Sequence, residues 1–114
     1  MAPAPERLRA SRDFAAVMRG GRRTRHPLLT IVARRTDGEA ARIGFATSKR
    51  VGGAVERNRV KRQLRVMTRA LSWRAGYDVV LIPQPSCASA RFDEIARAIE
   101  QMGERMGLLS TEDA

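Results

Sequence analysis

Residues 42–82 read RIGFATSKRVGGAVERNRVKRQLRVMTRALSWRAGYDVVLI, and this stretch decides the fold. Residues 42–48 alternate apolar and polar side chains, as a half-buried strand does. In the middle, four apolar residues repeat at helical spacing: Val60, Leu64, Met67 and Leu71. Residues 77–82 are nearly all apolar, which suits a strand covered on both faces. Strand, helix and strand in this order predict a parallel pair of strands joined by a crossover helix.

Shorter elements precede this unit. A first helix is predicted to begin near Ser11, a good N-cap residue, and to stop at Gly20 and Gly21. This helix is short and has one apolar stripe. Residues 28–33 are rich in β-formers, and a turn-forming Asp37-Gly38 pair separates them from residues 42–48. This spacing predicts that the two strands form a hairpin.

One more helix is predicted near the C-terminus, and it completes a single domain. It begins around Phe92 or Asp93, ends at Gly107, and has four apolar residues at helical spacing: Ile95, Ile99, Met102 and Met106. A chain of 114 residues has room for one domain. We expect this domain over residues 6–109, with frayed ends at residues 1–5 and 110–114.

The charge of the chain is large and uneven. Lys and Arg number 22 against 12 Asp and Glu, a net charge of +10, and Glu56 is the only acid in residues 42–74. Five polar or cationic residues project opposite the apolar stripe of the central helix: Asn58, Lys61, Arg62, Arg65 and Arg69. Surface helices are commonly stabilised by acids four residues from their cations, and such acids are missing here. This face therefore predicts binding of a polyanion, and its arginine content favours a nucleic acid. A solvated charged face is the alternative.

Residues suited to protein catalysis are scarce. Cys87 is the single cysteine, and His26, the single histidine, precedes Pro27 in a basic loop. Asp93 and Glu94 are adjacent and suit a helix N-terminus better than a metal site. We therefore expect no catalytic and no metal-ligating residue, an inert Cys87, and a solvated or RNA-contacting His26. The lone cysteine and the absence of a signal-like or membrane-spanning apolar run predict a cytoplasmic protein without a membrane partner.

Residues 48–65, SKRVGGAVERNRVKRQLR, closely resemble the central motif of the bacterial ribonuclease P protein component family. The shared features are a Ser-Lys-basic strand end, a Gly turn with Ala-Val, and an Arg-Asn-Arg triplet followed by an aliphatic residue and Lys-Arg. The likeness covers most of residues 6–109. It implies an α/β (α+β) two-layer sandwich in a single domain, with the order α-β-β-β-α-β-α. It also implies a left-handed strand-helix-strand crossover, against the right-handed general rule.

The resemblance also implies a function. Family members are the small subunit of a ribonucleoprotein that removes 5′ leaders from precursor tRNA, while the RNA subunit and its Mg²⁺ ions perform the hydrolysis. The implied partners are the catalytic RNA subunit and precursor tRNA, with one protein monomer per RNA. Eight positions match the motif that binds the RNA subunit: Lys49, Arg50, Arg57, Asn58, Arg59, Lys61, Arg62 and Arg65. Arg69, on the same cationic face of the central helix, is added to this predicted RNA-subunit-binding set. Three are assigned to the leader-binding cleft: Arg12, Phe14 and Met18.

Two positions depart from the family pattern. Met18 stands where a second aromatic residue is usual, and Val66 stands where an acid or amide is common. Since aromatic residues make up only 4% of the chain, leader binding is expected to depend on arginine and backbone electrostatics more than on stacking. Core packing is the alternative role for Phe14. The alternative function is a non-catalytic RNA-binding or RNA-chaperone protein of ribosomal type.

Overall fold

The computed structural model describes residues 4–110, which contain five strands and three α-helices. In chain order these are β1 (Glu6–Arg7), α1 (Ser11–Gly20), β2 (Arg22–Arg25), β3 (Leu29–Arg35), β4 (Ala41–Phe45), α2 (Ala54–Arg69), β5 (Tyr77–Pro83) and α3 (Phe92–Arg105). A short 3₁₀ helix, Pro85–Ala88, links β5 to α3. The predicted α+β sandwich and its element order are confirmed, and β1 adds a two-residue strand before α1. The sandwich has three layers instead of the predicted two, because α1 packs on one face of the sheet and α2 and α3 pack on the other.

The strands form one mixed sheet in the order β1-β4-β5-β3-β2. The central strand, β5, is parallel to β4 and antiparallel to β3. The predicted parallel pair on either side of α2 is therefore confirmed. Val79, Val80 and Leu81 in β5 are fully buried, as expected for an apolar strand covered on both faces.

The predicted hairpin between residues 28–33 and 42–48 is wrong, because β5 lies between β3 and β4. The most apolar strand loses the most contact with water at the centre of the sheet, and this outweighs local turn chemistry. The β3–β4 loop spans the start of β5: Thr36 N–H donates to Gly76 O at 2.8 Å, and Gly76 N–H donates to Ala40 O at 3.1 Å. The hairpin that does form joins β2 to β3.

Helices cover both faces of the sheet. On the first, here called the α1 face, Val17 of α1 packs in a cluster with Leu8, Val32 and Val80. On the opposite face, α2 and α3 pack over the larger core. That core contains the predicted apolar residues of both helices: Val60, Leu64, Met67, Ile95, Ile99, Met102 and Met106. Leu71, the last residue of the predicted stripe, lies beyond the end of α2 and is partly buried against the same core.

The helix ends differ from the predictions at the end of α2, which stops before Leu71, and at the start of α1. Ser11 is the first residue of α1, Ala10 occupies the N-cap position, and no side chain caps this helix. The α3 helix ends just before Gly107, which has a φ of +71°. Beyond it, Ser110 N–H donates to Ser72 O at 2.8 Å. The rest of the predicted frayed ends, residues 1–3 and 111–114, falls outside the described range. Across residues 4–110, no helix has the length and apolar character needed to span a bilayer.

Candidate nucleic-acid interface

The nine residues predicted to contact an RNA subunit form one continuous segment of the structure. Lys49 and Arg50 lie exposed in the tight turn before α2, where Arg50 N–H donates to Ser48 Oγ at 3.3 Å. The other seven lie on α2. Asn58, Arg62 and Arg69 are exposed, and Lys61 and Arg65 are half-buried.

Two cations of this segment are anchored by main-chain oxygens. Arg57 Nη1 donates to Gly52 O at 3.1 Å, which ties α2 to the preceding turn. Arg59 Nη2 donates to Ala88 O at 2.7 Å, at the end of the 3₁₀ helix. Carbonyl oxygens orient these guanidinium groups without neutralising them, and each guanidinium has further N–H donors.

Counter-ions are missing from this surface. Within residues 4–110, the ion pairs closer than 4.0 Å involve only two cations, Arg42 and Arg91, and neither lies on α2. Arg65 also has a buried Nε without a hydrogen-bond partner in the described structure. Close like charges repel, so the arrangement favours an anion supplied from outside.

Strand β1 adds one cation, Arg7, that the sequence patterns did not reveal. Arg7 is in register with Ile43, whose side chain belongs to the core under α2 and α3, so Arg7 points to the α2 side of the sheet. The positive charge of Arg65 lowers the pKa of Arg7, with further lowering by desolvation, Arg9 and Arg69. We call the exposed side of α2, its preceding turn and Arg7 of β1 the α2–β1 cationic surface.

The three residues predicted to bind the leader lie on α1, on the other side of the sheet. Arg12 is exposed, and Met18 retains 37% of its accessible surface. Phe14 is half-buried and packs with the α1-face cluster. Its ring lies on the backbone of Gly44, where an added Cβ would be 2.4 Å from Phe14 Cζ. Phe14 therefore packs against the sheet and still presents part of its surface to solvent.

The edge of the α1 face is also basic. Arg23 is in register with Val32, and Arg25 is in register with Thr30. Cross-strand partners share a face, so these arginines extend the surface beneath α1. They line a cavity of about 340 Å³ together with His26, Pro27, Thr30 and Gln84. The sequence showed them only as part of a basic run, because the four residues of β2 are all polar and lack the apolar–polar alternation that would indicate a strand.

An ion-pair network connects α1 to the sheet. Arg42 Nε and Nη2 donate to Asp78 Oδ1 and Oδ2 at 2.8 and 2.6 Å, and Arg42 Nη1 donates to Asp13 Oδ2 at 3.3 Å. The side chain of Asp78 is only 3% exposed, whereas those of Arg42 and Asp13 are 35% and 30% exposed. The hydrogen bond to Asp78 is the largest of the effects that raise the pKa of Arg42. Sequence reasoning missed this network because its members are 29 and 36 residues apart.

The single cysteine and the single histidine both have structural contacts. Cys87 is 1% exposed in the 3₁₀ helix, and burial raises the pKa of its thiol. His26 Nδ1 accepts the N–H of Leu28 at 3.0 Å, so the histidine supports the β2–β3 turn. In the described part of the chain, no three His, Cys, Asp or Glu side chains are grouped as a metal site would require.

The fold and the α2–β1 cationic surface define a small basic protein of the nucleic-acid-binding class. A family model described as Ribonuclease P matches residues 2–107. The chain belongs to the ribonuclease P protein component family.

Relatives and solved structures agree with this assignment. The ribonuclease P protein component of Beutenbergia cavernae is 42% identical over 111 residues, covering 95% of this chain and 93% of the relative. That of Herpetosiphon aurantiacus is 38% identical over 99 residues, covering 85% and 80%. The fold is similar to that of the Staphylococcus aureus RNase P protein, with a TM-score of 0.81, 18% identity and coverage of 91% and 97%. For the Thermotoga maritima protein the values are 0.80, 24%, 88% and 96%.

Proposed function

We propose that this chain is the protein subunit of a ribonuclease P ribonucleoprotein in the cytoplasm, with one monomer bound to each RNA subunit. In this complex the RNA subunit cleaves precursor tRNA endonucleolytically, which removes the 5′ leader and yields the mature 5′ end. The chain binds the RNA subunit through the α2–β1 cationic surface and contacts the leader on the α1 face. It contributes to the holoenzyme without supplying the reacting groups.

One observation carries the proposal: the family motif folds into a cationic helix surface whose charges lack acidic partners among the described residues. A surface helix that serves only solubility is commonly balanced by acids at i+4. Phosphates of an RNA provide the missing charge, and arginine binds them with two parallel N–H donors. Ions released from the RNA then add to the affinity.

The α2–β1 surface does not fit a magnesium site, and within residues 4–110 no three His, Cys, Asp or Glu side chains are grouped as a metal site would require. Mg²⁺ prefers carboxylate and water oxygens in octahedral geometry, whereas the α2–β1 surface presents guanidinium and ammonium groups. The metal chemistry is therefore assigned to the RNA subunit. The protein's cations lower the free energy of bringing RNA phosphates together, so less Mg²⁺ is needed for the complex to be active.

The leader is assigned to the α1 face because it combines a partly exposed ring with cations at both sides. Phe14 and Met18 provide surface for an unpaired base, and stacking on a ring is worth about 1–3 kcal/mol per base. Arg12 lies on α1, and Arg23 and Arg25 lie across the sheet. Ala46, just after β4, packs against the α1-face cluster and is followed three residues later by Lys49 of the cationic turn.

Reconstitution tests the proposal. The protein is combined with a bacterial ribonuclease P RNA, and cleavage of precursor tRNA is followed as Mg²⁺ is lowered. We expect the protein to sustain accurate cleavage at Mg²⁺ concentrations where the RNA alone is inactive, and we expect no cleavage by the protein alone. RNA binding without any effect on cleavage would support the RNA-chaperone function instead. Cleavage by the protein after all RNA is removed would place the reacting groups in this chain and contradict the proposal.

A further inference from the structure

We propose that Asp13 and Arg42 are positioning residues that hold α1 at a fixed height over the sheet and thereby raise affinity for the single-stranded leader. This role rests on the proposed function, because it assumes that the leader binds on the α1 face. The unexpected feature is the sign of the effect. An acidic residue next to a polyanion-binding surface ordinarily weakens binding, whereas Asp13 is inferred to strengthen it.

The geometry pairs two consecutive residues of α1 with two same-face residues of β4. Arg42 Nη1 donates to Asp13 Oδ2 at 3.3 Å. One residue along the helix, the Phe14 ring lies directly on Gly44, whose side of the strand is that of Arg42. A polar contact and an apolar contact next to each other restrict both rotation of α1 about its axis and its separation from the sheet.

Arg42 is itself held from the opposite side. Its Nε and Nη2 bind both carboxylate oxygens of Asp78, which is almost completely buried in the central strand. This bidentate pair fixes the plane of the guanidinium, and the remaining nitrogen, Nη1, points to Asp13. Asp78 therefore orients the cation, and the longer, half-exposed contact to Asp13 is the link that connects it to α1.

Electrostatics and positioning predict opposite results when the Asp13 charge is removed. Asp13→Asn deletes a negative charge near the proposed leader path, so a purely electrostatic role predicts tighter binding of every RNA that uses this face. A positioning role predicts weaker binding of the leader, since the ring surface of Phe14 is no longer held in place for stacking. Mature tRNA has no leader, so its affinity is not expected to fall.

The experiment uses the reconstituted holoenzyme and compares dissociation constants for precursor tRNA and mature tRNA at one salt concentration. We expect Asp13→Asn to weaken precursor binding at least about fivefold, the lower end of what one lost base stack costs, with mature tRNA unchanged. Asp13→Glu restores a carboxylate and should recover part of the loss. The matched control is Asp37→Asn, which removes the same charge from an exposed loop residue and should not weaken precursor binding.

A second variant distinguishes loss of positioning from loss of folding. Arg42→Lys keeps a cation for Asp78 but lacks the fork that reaches two carboxylates at once, so it should show the same selective loss while thermal melting confirms a folded protein. Tighter binding of precursor tRNA by Asp13→Asn, with or without a change for mature tRNA, would overturn the inference, as would no change in either. Phe14→Ala distinguishes a failure of the positioning role from a failure of the leader assignment. If it weakens precursor binding and the Asp13 and Arg42 variants do not, only the positioning role fails; if it also has no effect, the leader assignment fails as well.

Discussion

The salt dependence of RNA binding tests the α2–β1 cationic surface quantitatively. Arg62 and Arg69 are both exposed on α2, and neither is within 4.0 Å of an acid in the described residues. Replacing both with Gln removes two charges with little change in helix propensity. The fold should therefore be retained, and any change in affinity should come from the RNA contacts.

The magnitude follows from ion release. Each phosphate contact contributes about 0.7–0.9 to the slope of log affinity against log salt, so losing two contacts should reduce the slope by about 1.4–1.8. At roughly 0.1 M salt this corresponds to a loss of about 25- to 60-fold in affinity for the RNA subunit. The loss should shrink as salt rises, because the unmodified protein loses its electrostatic advantage there.

The assay is a titration of labelled ribonuclease P RNA at several monovalent salt concentrations, for example over roughly 50–200 mM. The matched control replaces Arg97 and Arg105 with Gln, which removes the same charge from exposed residues of α3. We expect the control to keep nearly the full slope. Equal slopes for the unmodified protein and the α2 double variant would show that this surface does not contact the RNA, and equal reductions in both variants would show that only net charge matters.

Three further predictions concern individual side chains. Arg42→Ala leaves the buried Asp78 carboxylate without its partner, so the free energy of unfolding should fall by about 3–5 kcal/mol in denaturant titrations; a loss below about 1 kcal/mol would show that water replaces the guanidinium. Gly44→Ala places a Cβ against the Phe14 ring, and we expect about 1–3 kcal/mol of destabilisation by overpacking, measured by thermal melting, with an unchanged melting temperature contradicting that contact. Because burial raises the pKa of Cys87, its thiol should react slowly with a thiol reagent at neutral pH and quickly after unfolding; rapid reaction of the folded protein would contradict the burial.

Local patterns in the sequence were sufficient to predict the helices and the central strand. The apolar residues of α2 and α3 recur at helical spacing over about three turns. Residues 77–82 are nearly all apolar, which favours a strand that is covered on both faces. These features depend on residues that are close in the chain, so periodicity reveals them. The same helical projection placed five residues of the cationic face on one side of α2, and residues 48–65 identified the family that the comparisons confirm.

Strand pairing was decided only by the tertiary structure. Asp37-Gly38 has the chemistry of a hairpin turn, yet β3 and β4 are separated by β5. A turn specifies the direction of the chain over a few residues, whereas strand neighbours are selected by competition for the buried centre of the sheet, where an apolar strand removes the most surface from water. A short segment of the sequence cannot reveal which strands become neighbours, because this depends on segments that are far apart in the chain.

The sites divide in the same way. From the sequence alone came the charge of the chain, the helical placement of the α2 cations and the scarcity of groups for protein catalysis. Only the fold brings Arg7 next to Arg65, turns Arg23 and Arg25 to the α1 face, and joins Asp13, Arg42 and Asp78 in one network. The physical reason is that charge and periodicity are properties of single residues and short segments. Contacts between residues that are distant in the chain depend on the strand order of the folded sheet.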